Sequence, residues 1–519
     1  MKKILMICFV AVLSSCTKDF LDRSPLDAIG TANFWKNSQD AYLGLNGVYD
    51  VLQDPAVYGG SLNNGAAGLP MYDCFGDNLY NNYKFEGPGL FMEGTIDPSH
   101  YFFSGLWNSC YKGIFRANSV LENIPNIPAG NISDAERAQL SAQALFLRAL
   151  FYMNLAVYYQ DAPLILKTQA VSEGYVAKNT YQEISDQVIK DLTTAANALP
   201  MSYPSSQYGY ATKGAALGIL ARFQLYNKNY QAVLDATNAL MSLGYGLNPS
   251  YSQLFTEQGE NSNEIIFSVR FNEDVSKNRE NFSSTYAGIP RVDEQPMPNM
   301  VKDYYCTDGK PITTSPLYNP GTPTNNTPQK NNRDPRLLAS VYFKGDIFIT
   351  DINKAFSGNT ATTYGLKKYI RNKNYPDGTG VFAGGGQDFI VIRYADVLLM
   401  RAEALLGSGT TAGVSALVNQ VRARVNMPSV ESVEGSNLSL GTLQAIVRHE
   451  RRVELAFEGL RYFDLKRWGT VQSAAQTAAA DNVTGYSPTY RAGGKSEIFA
   501  IPLKELDANE NLKQNPVWQ

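Results

Sequence analysis

Histidine is nearly missing from this sequence. His100 and His449 are the two in a chain of 519 residues. That rules out sites built from several histidines and argues against histidine-based acid–base catalysis. A basic excess is also missing: 45 Lys and Arg stand against 48 Asp and Glu, a formal charge of −3. A general nucleic-acid binder needs the opposite balance, so no nucleic-acid partner is expected. Cysteine is sparse. Apart from Cys8 and Cys16 near the N-terminus, only Cys74, Cys110 and Cys306 remain. That is no disulfide framework, although one bridge is compatible with it. Long uncharged apolar runs are missing beyond the N-terminus. The most apolar later segment, "ALFLRALFYMNLAVYY", carries Arg148 and reads as a buried core helix.

Familiar catalytic motifs are missing as well. His449-Glu450 begins a zincin-like pattern, but Val453 stands where the second histidine belongs. Gly494-Lys495-Ser496 resembles the end of a phosphate loop, yet Thr489 replaces its first glycine. "GTGVFAGGG" scans as G-x-G-x-x-A from Gly378 without a preceding strand, and reads as a flexible loop. No G-x-S-x-G elbow occurs. No cofactor or metal is expected, and the chain does not read as an enzyme.

What is abundant is tyrosine: 32 Tyr against 24 Phe and 4 Trp. Tyrosine joins an apolar ring to a polar tip and so serves at surfaces. Sugar rings, with apolar CH faces and hydroxyl edges, match that chemistry.

The N-terminus reads as a leader. Lys2 and Lys3 precede the apolar run Ile4 to Leu13, about half of what a membrane span needs. Leu13-Ser14-Ser15-Cys16 then resembles the lipobox of bacterial lipoproteins. There the cysteine takes a diacylglyceryl group and residues 1–15 are removed. Acyl chains anchor a soluble domain because each buried CH2 contributes roughly 0.8 kcal/mol. Removing Lys2 and Lys3 takes the formal charge from −3 to −5.

Apolar periodicity predicts a mostly α-helical chain. In residues 211–247, Ala216, Leu220 and Phe223 share one face, and Ala232, Ala236 and Ala239 share the next. A polar turn at Asn227 to Asn229 separates them, and small residues allow close packing, as in a tetratricopeptide hairpin. Residues 134–159, 391–424 and 442–468 carry similar patterns. The regions expected are 16–245 and 246–519, the latter holding a loop-rich insertion at 246–390 and helices over 391–470. Short strands are predicted at "EIIFSVRF", at "LLASVYF" and in the tail after Ser496. Glu450, Glu454 and Glu458 share a helical face beside Arg451, Arg452 and Arg461, which predicts an ion-pair network in the scaffold. Asp396 and Glu403, near Arg393 and Arg401, read the same way.

Several long segments carry a resemblance. "CTKDFLDRSP" followed by "FWKNSQDAYLGLNGVYD" resembles the mature start of the SusD/RagB family of outer-membrane lipoproteins. "FIVIRYADVLLMRAEALL" and "RHERRVELAFEGLRYFDLKRWG" resemble its central and C-terminal signatures, and "FAIPLKELDANENLKQNP" its ending. The resemblance implies a SusD-like fold with tetratricopeptide-like helix pairs and loop-rich insertions. It also implies a non-enzymatic protein, lipid-anchored at Cys16 on the outer membrane and facing the cell exterior. Its partners would be a SusC-like TonB-dependent transporter and an oligosaccharide, or a peptide in the RagB-like alternative.

The insertions vary within this family, so site residues are read by region and chemistry. In "MYDCFGDNLYNNYKFEGPG", Asp73, Asp77 and Asn78 offer hydrogen-bonding groups, and Tyr80, Tyr83 and Phe85 offer stacking faces. In "FSSTYAGIPRVDEQP", Tyr286 offers a ring and Arg291 a cation. Trp35, Trp107, Trp468 and Trp518 all fall in framework-like segments. That departs from the tryptophan-bearing arc of starch-capturing members and disfavours starch.

Overall fold

The structure, a computed structural model, describes residues 34–60, 68–274, 278–283, 293–322, 327–359, 361–371, 384–490 and 493–519. The fold is mostly α-helical. Among the described residues its longer helices are α1 (Ser38–Tyr49), α2 (Tyr101–Asn123), α3 (Asp134–Tyr159), α4 (Tyr181–Ala198), α5 (Lys213–Tyr226) and α6 (Tyr230–Met241). The C-terminal half adds α7 (Tyr394–Gly407), α8 (Val414–Arg424), α9 (Leu440–Glu454), α10 (Arg461–Trp468) and α11 (Val471–Ala479).

Local chemistry sets where these helices begin. Ser133 and Glu136 form a capping box at α3, and Thr180 and Glu183 form one at α4. In each, the hydroxyl and the carboxylate satisfy backbone N–H groups that the first turn leaves unpaired. Successive helices then pack on one another from α2 to α6, and α7 packs on α6, α8 and α9. Helix α3 is long and apolar enough to cross a membrane by composition, but most of it is buried inside the fold. Its Arg148 is held by Asp191 of α4 at 2.8 Å and by Asn118 of α2 at 2.9 Å. Close helix approach depends on Gly113, where an added Cβ would lie 2.3 Å from the Phe151 ring.

Eight short strands form four two-stranded antiparallel ladders among the described residues. β1 (Leu79–Asn81) pairs with β3 (Glu294–Pro296), and β2 (Ile265–Val269) with β8 (Phe389–Arg393). β4 (Val341–Tyr342) pairs with β7 (Gly365–Leu366), and β5 (Ile347–Ile349) with β6 (Lys354–Ala355). One continuous apolar core runs from Ala41 to Trp518.

Several sequence expectations change here. The α5–α6 turn falls at 227–229 as predicted, but the buried stripe of α6 is Val233, Ala236, Thr237 and Leu240. The pattern read as helix from 391 begins in strand β8. In "LLASVYF" the first four residues finish a short helix, Pro335–Ser340, and only Val341–Tyr342 is strand. The pattern over 442–468 is two helices broken between Glu454 and Arg461, with Phe457 at φ 66° and Gly459 at φ 76°. The tail has no strand. Phe499, Ala500 and Ile501 are fully buried in extended backbone, anchored by Phe499 N–H donating to the Tyr158 carbonyl at 2.7 Å. The Phe499 ring lies within about 6 Å of Phe91, Phe102, Phe103, Tyr158 and Tyr159, so aromatic packing replaces strand pairing.

The predicted ion-pair network exists, with different partners. Glu450 meets Arg336 and Arg422; Glu454 meets Arg336, Arg393 and Arg424; Glu458, beyond the end of α9, meets Arg393 and Lys368. The neighbouring arginines turn elsewhere. Arg451 meets Asp396 and Asp464, Arg452 meets Asp77 and Asp303, and Arg461 meets Asp77. Cys74, Cys110 and Cys306 are buried free thiols.

Candidate functional site

The β1–β3 ladder joins the two loop regions singled out in the sequence. Leu79, Tyr80 and Asn81 face Pro296, Gln295 and Glu294 in register. The ladder continues as Asn82 N–H donates to the Asp293 carbonyl at 2.7 Å. Segments more than two hundred residues apart thus form one platform.

Four of the predicted contacts are buried in that platform's base. Asp73 is 0% exposed. Its carboxylate accepts from Asn78 Nδ2 (2.9 Å), Phe457 N–H (2.9 Å) and Arg461 N–H (3.2 Å). It therefore ties the loop to the break between α9 and α10. Burial pushes its pKa up, against the pull of those hydrogen bonds. Asp77 receives Arg461 at 2.7 Å and Arg452 at 3.0 Å. Burial opposes its ionisation, but the two guanidiniums outweigh it and hold the carboxyl well below the usual range. Asn78 accepts from Arg452 Nε at 3.1 Å. Tyr80 is buried, edge-on to Tyr486 at 6.3 Å. These four side chains hold the loop in place, and the polar atoms of Asp73, Asp77 and Asn78 already have protein partners.

Tyr83 and Phe85 are placed differently. Tyr83 is half-buried and Phe85 is 58% exposed, with the rings 5.9 Å apart at 89°. The Phe85 backbone is fixed while its side chain is largely exposed. Its carbonyl accepts from Tyr101 Oη at 3.2 Å and from His100 Nε2 at 3.0 Å. His100 Nδ1 accepts from Phe102 N–H at 3.2 Å and caps α2, which assigns the proton to Nε2. Tyr286, Arg291 and Cys16 lie outside the described residues.

A second concave region escaped the sequence reading. Two adjoining cavities of about 360 and 300 Å³ share Tyr208, Gly209, Tyr210 and Ser268. Tyr49, Tyr203 and Tyr245 add to their walls. Tyr208 is 43% exposed, with the Arg270 guanidinium 4.6 Å from its ring centre. Arg270 is held by Asp388 at 3.2 Å. Most hydroxyls here already serve the fold: Tyr210 Oη donates to Asn46 at 2.7 Å and Tyr49 Oη to Gln143 at 2.9 Å. The signal in the sequence was "YPSSQYGYAT", whose tyrosines alternate with turn residues.

The remaining reactive groups sit in the scaffold. His449 Nε2 donates to the Asp303 carbonyl (2.8 Å), and the ring stacks on Tyr305 at 3.8 Å. Among the described residues no group of three or more His, Cys, Asp and Glu is arranged to hold a metal. Trp107 and Trp518 are buried, packed against Tyr159 and Phe103 respectively. Gly384 and Gly385, at the end of the glycine-rich loop, permit close backbone approach: a Cβ on Gly384 would lie 1.6 Å from the Glu280 carbonyl oxygen.

Comparison with known proteins agrees with this architecture. A family model described as "SusD family" matches residues 263–518, and one described as "Starch-binding associating with outer membrane" matches residues 90–225. A SusD-like protein of Formosa agariphila, P38, is 27% identical over 89% of this chain and 90% of its own. A SusD-like carbohydrate binding protein from Bacteroides fragilis superposes with a TM-score of 0.78 at 26% identity, covering 92% of this chain and all of that one. A laminarin binding SusD-like protein gives a TM-score of 0.72 at 25% identity, covering 93% of this chain and all of its own.

Proposed function

This chain belongs to the SusD/RagB family, and on that premise we propose that it captures oligosaccharides at the cell surface without catalysis. The captured glycan passes to a SusC-like TonB-dependent transporter. Cys16 is the lipid anchor on the outer membrane, and the folded chain works as a lid over the transporter. The observation that carries the reading is the Tyr83–Phe85 pair: a half-buried and a solvent-exposed ring set edge to face on a loop whose backbone is fixed by β1–β3 pairing, His100 and Tyr101. Preformed aromatic faces bind at low cost in side-chain order. Tyr286 and Arg291, which precede β3 in the chain, complete the proposed contact set. The similarity to carbohydrate-binding and laminarin-binding relatives supports the ligand class.

Calorimetry of the chain without its leader against a panel of polysaccharides, laminarin included, tests the reading. Tyr83→Ala and Phe85→Ala should each weaken the best ligand about tenfold and leave the melting temperature unchanged. Tyr208→Ala should leave the affinity unchanged; the opposite pattern would move the site to the tyrosine groove. Silence across the panel with clear binding of peptides would replace the glycan by a peptide, as in the RagB-like alternative. A Cys16→Ala variant should bind in vitro but fail to support uptake.

A further inference from the structure

Most arginines of the C-terminal half end on oxygen acceptors. Arg336, Arg393, Arg422, Arg424, Arg451 and Arg467 each end on a carboxylate. Arg333 ends on the Val301 and Tyr304 carbonyls, and Arg401 on the Leu234 carbonyl and the Thr237 hydroxyl. Arg448 of α9 differs from these. It is half-buried, and among the described residues its guanidinium has no carboxylate partner; its contact is the Trp468 ring, 4.9 Å away. It lines a pocket of about 220 Å³ together with Lys228, Tyr230, Gln444 and Trp468. Lys228 sits in the α5–α6 turn at φ 58°, exposed, and likewise has no carboxylate partner among the described residues. Glu403 is the one acid among the described lining residues, and it is already engaged. Its oxygens accept from Arg467 at 2.6 and 2.8 Å and from Trp468 Nε1 at 2.9 Å. Two cations therefore line this cavity without a carboxylate partner among the described residues.

We propose that this pocket binds the acidic group of a sugar residue, a carboxylate or a sulfate ester, and so selects acidic glycans. The inference rests on the glycan reading above. A guanidinium suits an oxyanion because its planar fork donates two parallel hydrogen bonds. Stacking on Trp468 orders that fork before the ligand arrives. Gln444, one turn before Arg448 on α9, places an amide beside it for a neighbouring hydroxyl. The cavity is smaller than the roughly 300–1,000 Å³ of drug-sized sites, in keeping with one ring and its charged substituent. The pocket also connects to the platform: Arg452, one turn after Arg448, binds Asp77 and Asn78 at the foot of β1.

The test is calorimetric titration of the leaderless chain with oligogalacturonate, a sulfated oligosaccharide, their neutral counterparts, an acidic peptide and sodium sulfate alone. An acidic oligosaccharide should bind about tenfold tighter than its neutral counterpart, and added salt should erode that margin. Arg448→Gln and Lys228→Gln should each remove the margin while leaving neutral-glycan affinity and melting temperature unchanged. Lys228 is exposed, so its variant folds even if the other does not. A margin that survives both substitutions overturns the proposal. Sodium sulfate binding as tightly as the acidic sugars, or tight binding of the acidic peptide alone, overturns its assignment to sugars. Failure of neutral glycans in the wild type, with Tyr83→Ala and Phe85→Ala silent, would strike the glycan reading itself. A neutral response that persists while the acidic margin is absent strikes the pocket alone.

Discussion

Asp77 sits between Arg452 and Arg461, and all three side chains are largely buried there. Removing one member of a buried ion pair leaves the other charge unpaired, which costs about 3–5 kcal/mol. Asp77→Ala should lower stability by that amount in chemical denaturation, whereas Asp77→Asn, which keeps an acceptor, should cost less. Neither result would be expected of an open ligand contact. The sequence presents Asp73, Asp77, Asn78, Tyr80, Tyr83 and Phe85 as one run of suitable chemistry. The structure divides it, burying the first four and presenting the last two. Alternation did not reveal the division because all three residues of β1 are buried, so period two marks no solvent side.

Helix contacts show where small residues are required. At Gly113, an alanine Cβ would overlap the Phe151 ring of α3. Overpacking of this kind costs typically about 1–3 kcal/mol, so Gly113→Ala should lower the unfolding midpoint by that much without changing secondary structure by circular dichroism. Around the segment 278–283, Glu280 is fully buried and accepts from Ser283 N–H at 2.9 Å and Gly385 N–H at 2.6 Å. Burial pushes its pKa up to about 7, and Glu260 also to about 7, with Asp388 at about 6. A carboxyl raised in the folded state binds its proton more tightly folded than unfolded. Its contribution is therefore fully present below the ordinary carboxylate range and is lost as pH rises through about 7. Amide protection at Ser283 and Gly385 should fall between pH 5 and pH 8, roughly over that titration window, and Glu280→Gln should flatten the profile. The helix over 134–159 was legible because apolar periodicity is a local signal. The tail was not, because its apolar run satisfies itself against rings from α2 and α3 and has no neighbouring strand.

Across the whole molecule, Arg393 connects the two halves of the C-terminal region. It reaches Glu264 before β2, Glu454 at the end of α9 and Glu458 beyond it, at 2.6 to 2.9 Å. Arg393→Met would leave three buried carboxylates short of a partner, and a loss of about 3–5 kcal/mol is expected. Equilibrium unfolding should report it as one cooperative shift, since a single core spans the chain. Restoring stability would need removal of the acids as well, which a multiple variant carrying apolar replacements checks.

The sequence by itself determined the family, the order of the helix pairs, the turn at 227–229 and the presence of a buried charge network. Those features rest on periodicity, turn residues, charge spacing and long signatures, which are read over short stretches of chain. Tertiary structure alone decided which acid meets which arginine, which tyrosines and phenylalanines face outward, that β1 pairs with β3, and that Arg448 and Lys228 line one pocket. The β1–β3 pairing, the Arg336–Glu450 pair and the shared pocket of Arg448 and Lys228 each join segments more than a hundred residues apart, where charge and apolar pattern allow many pairings and only packing selects one.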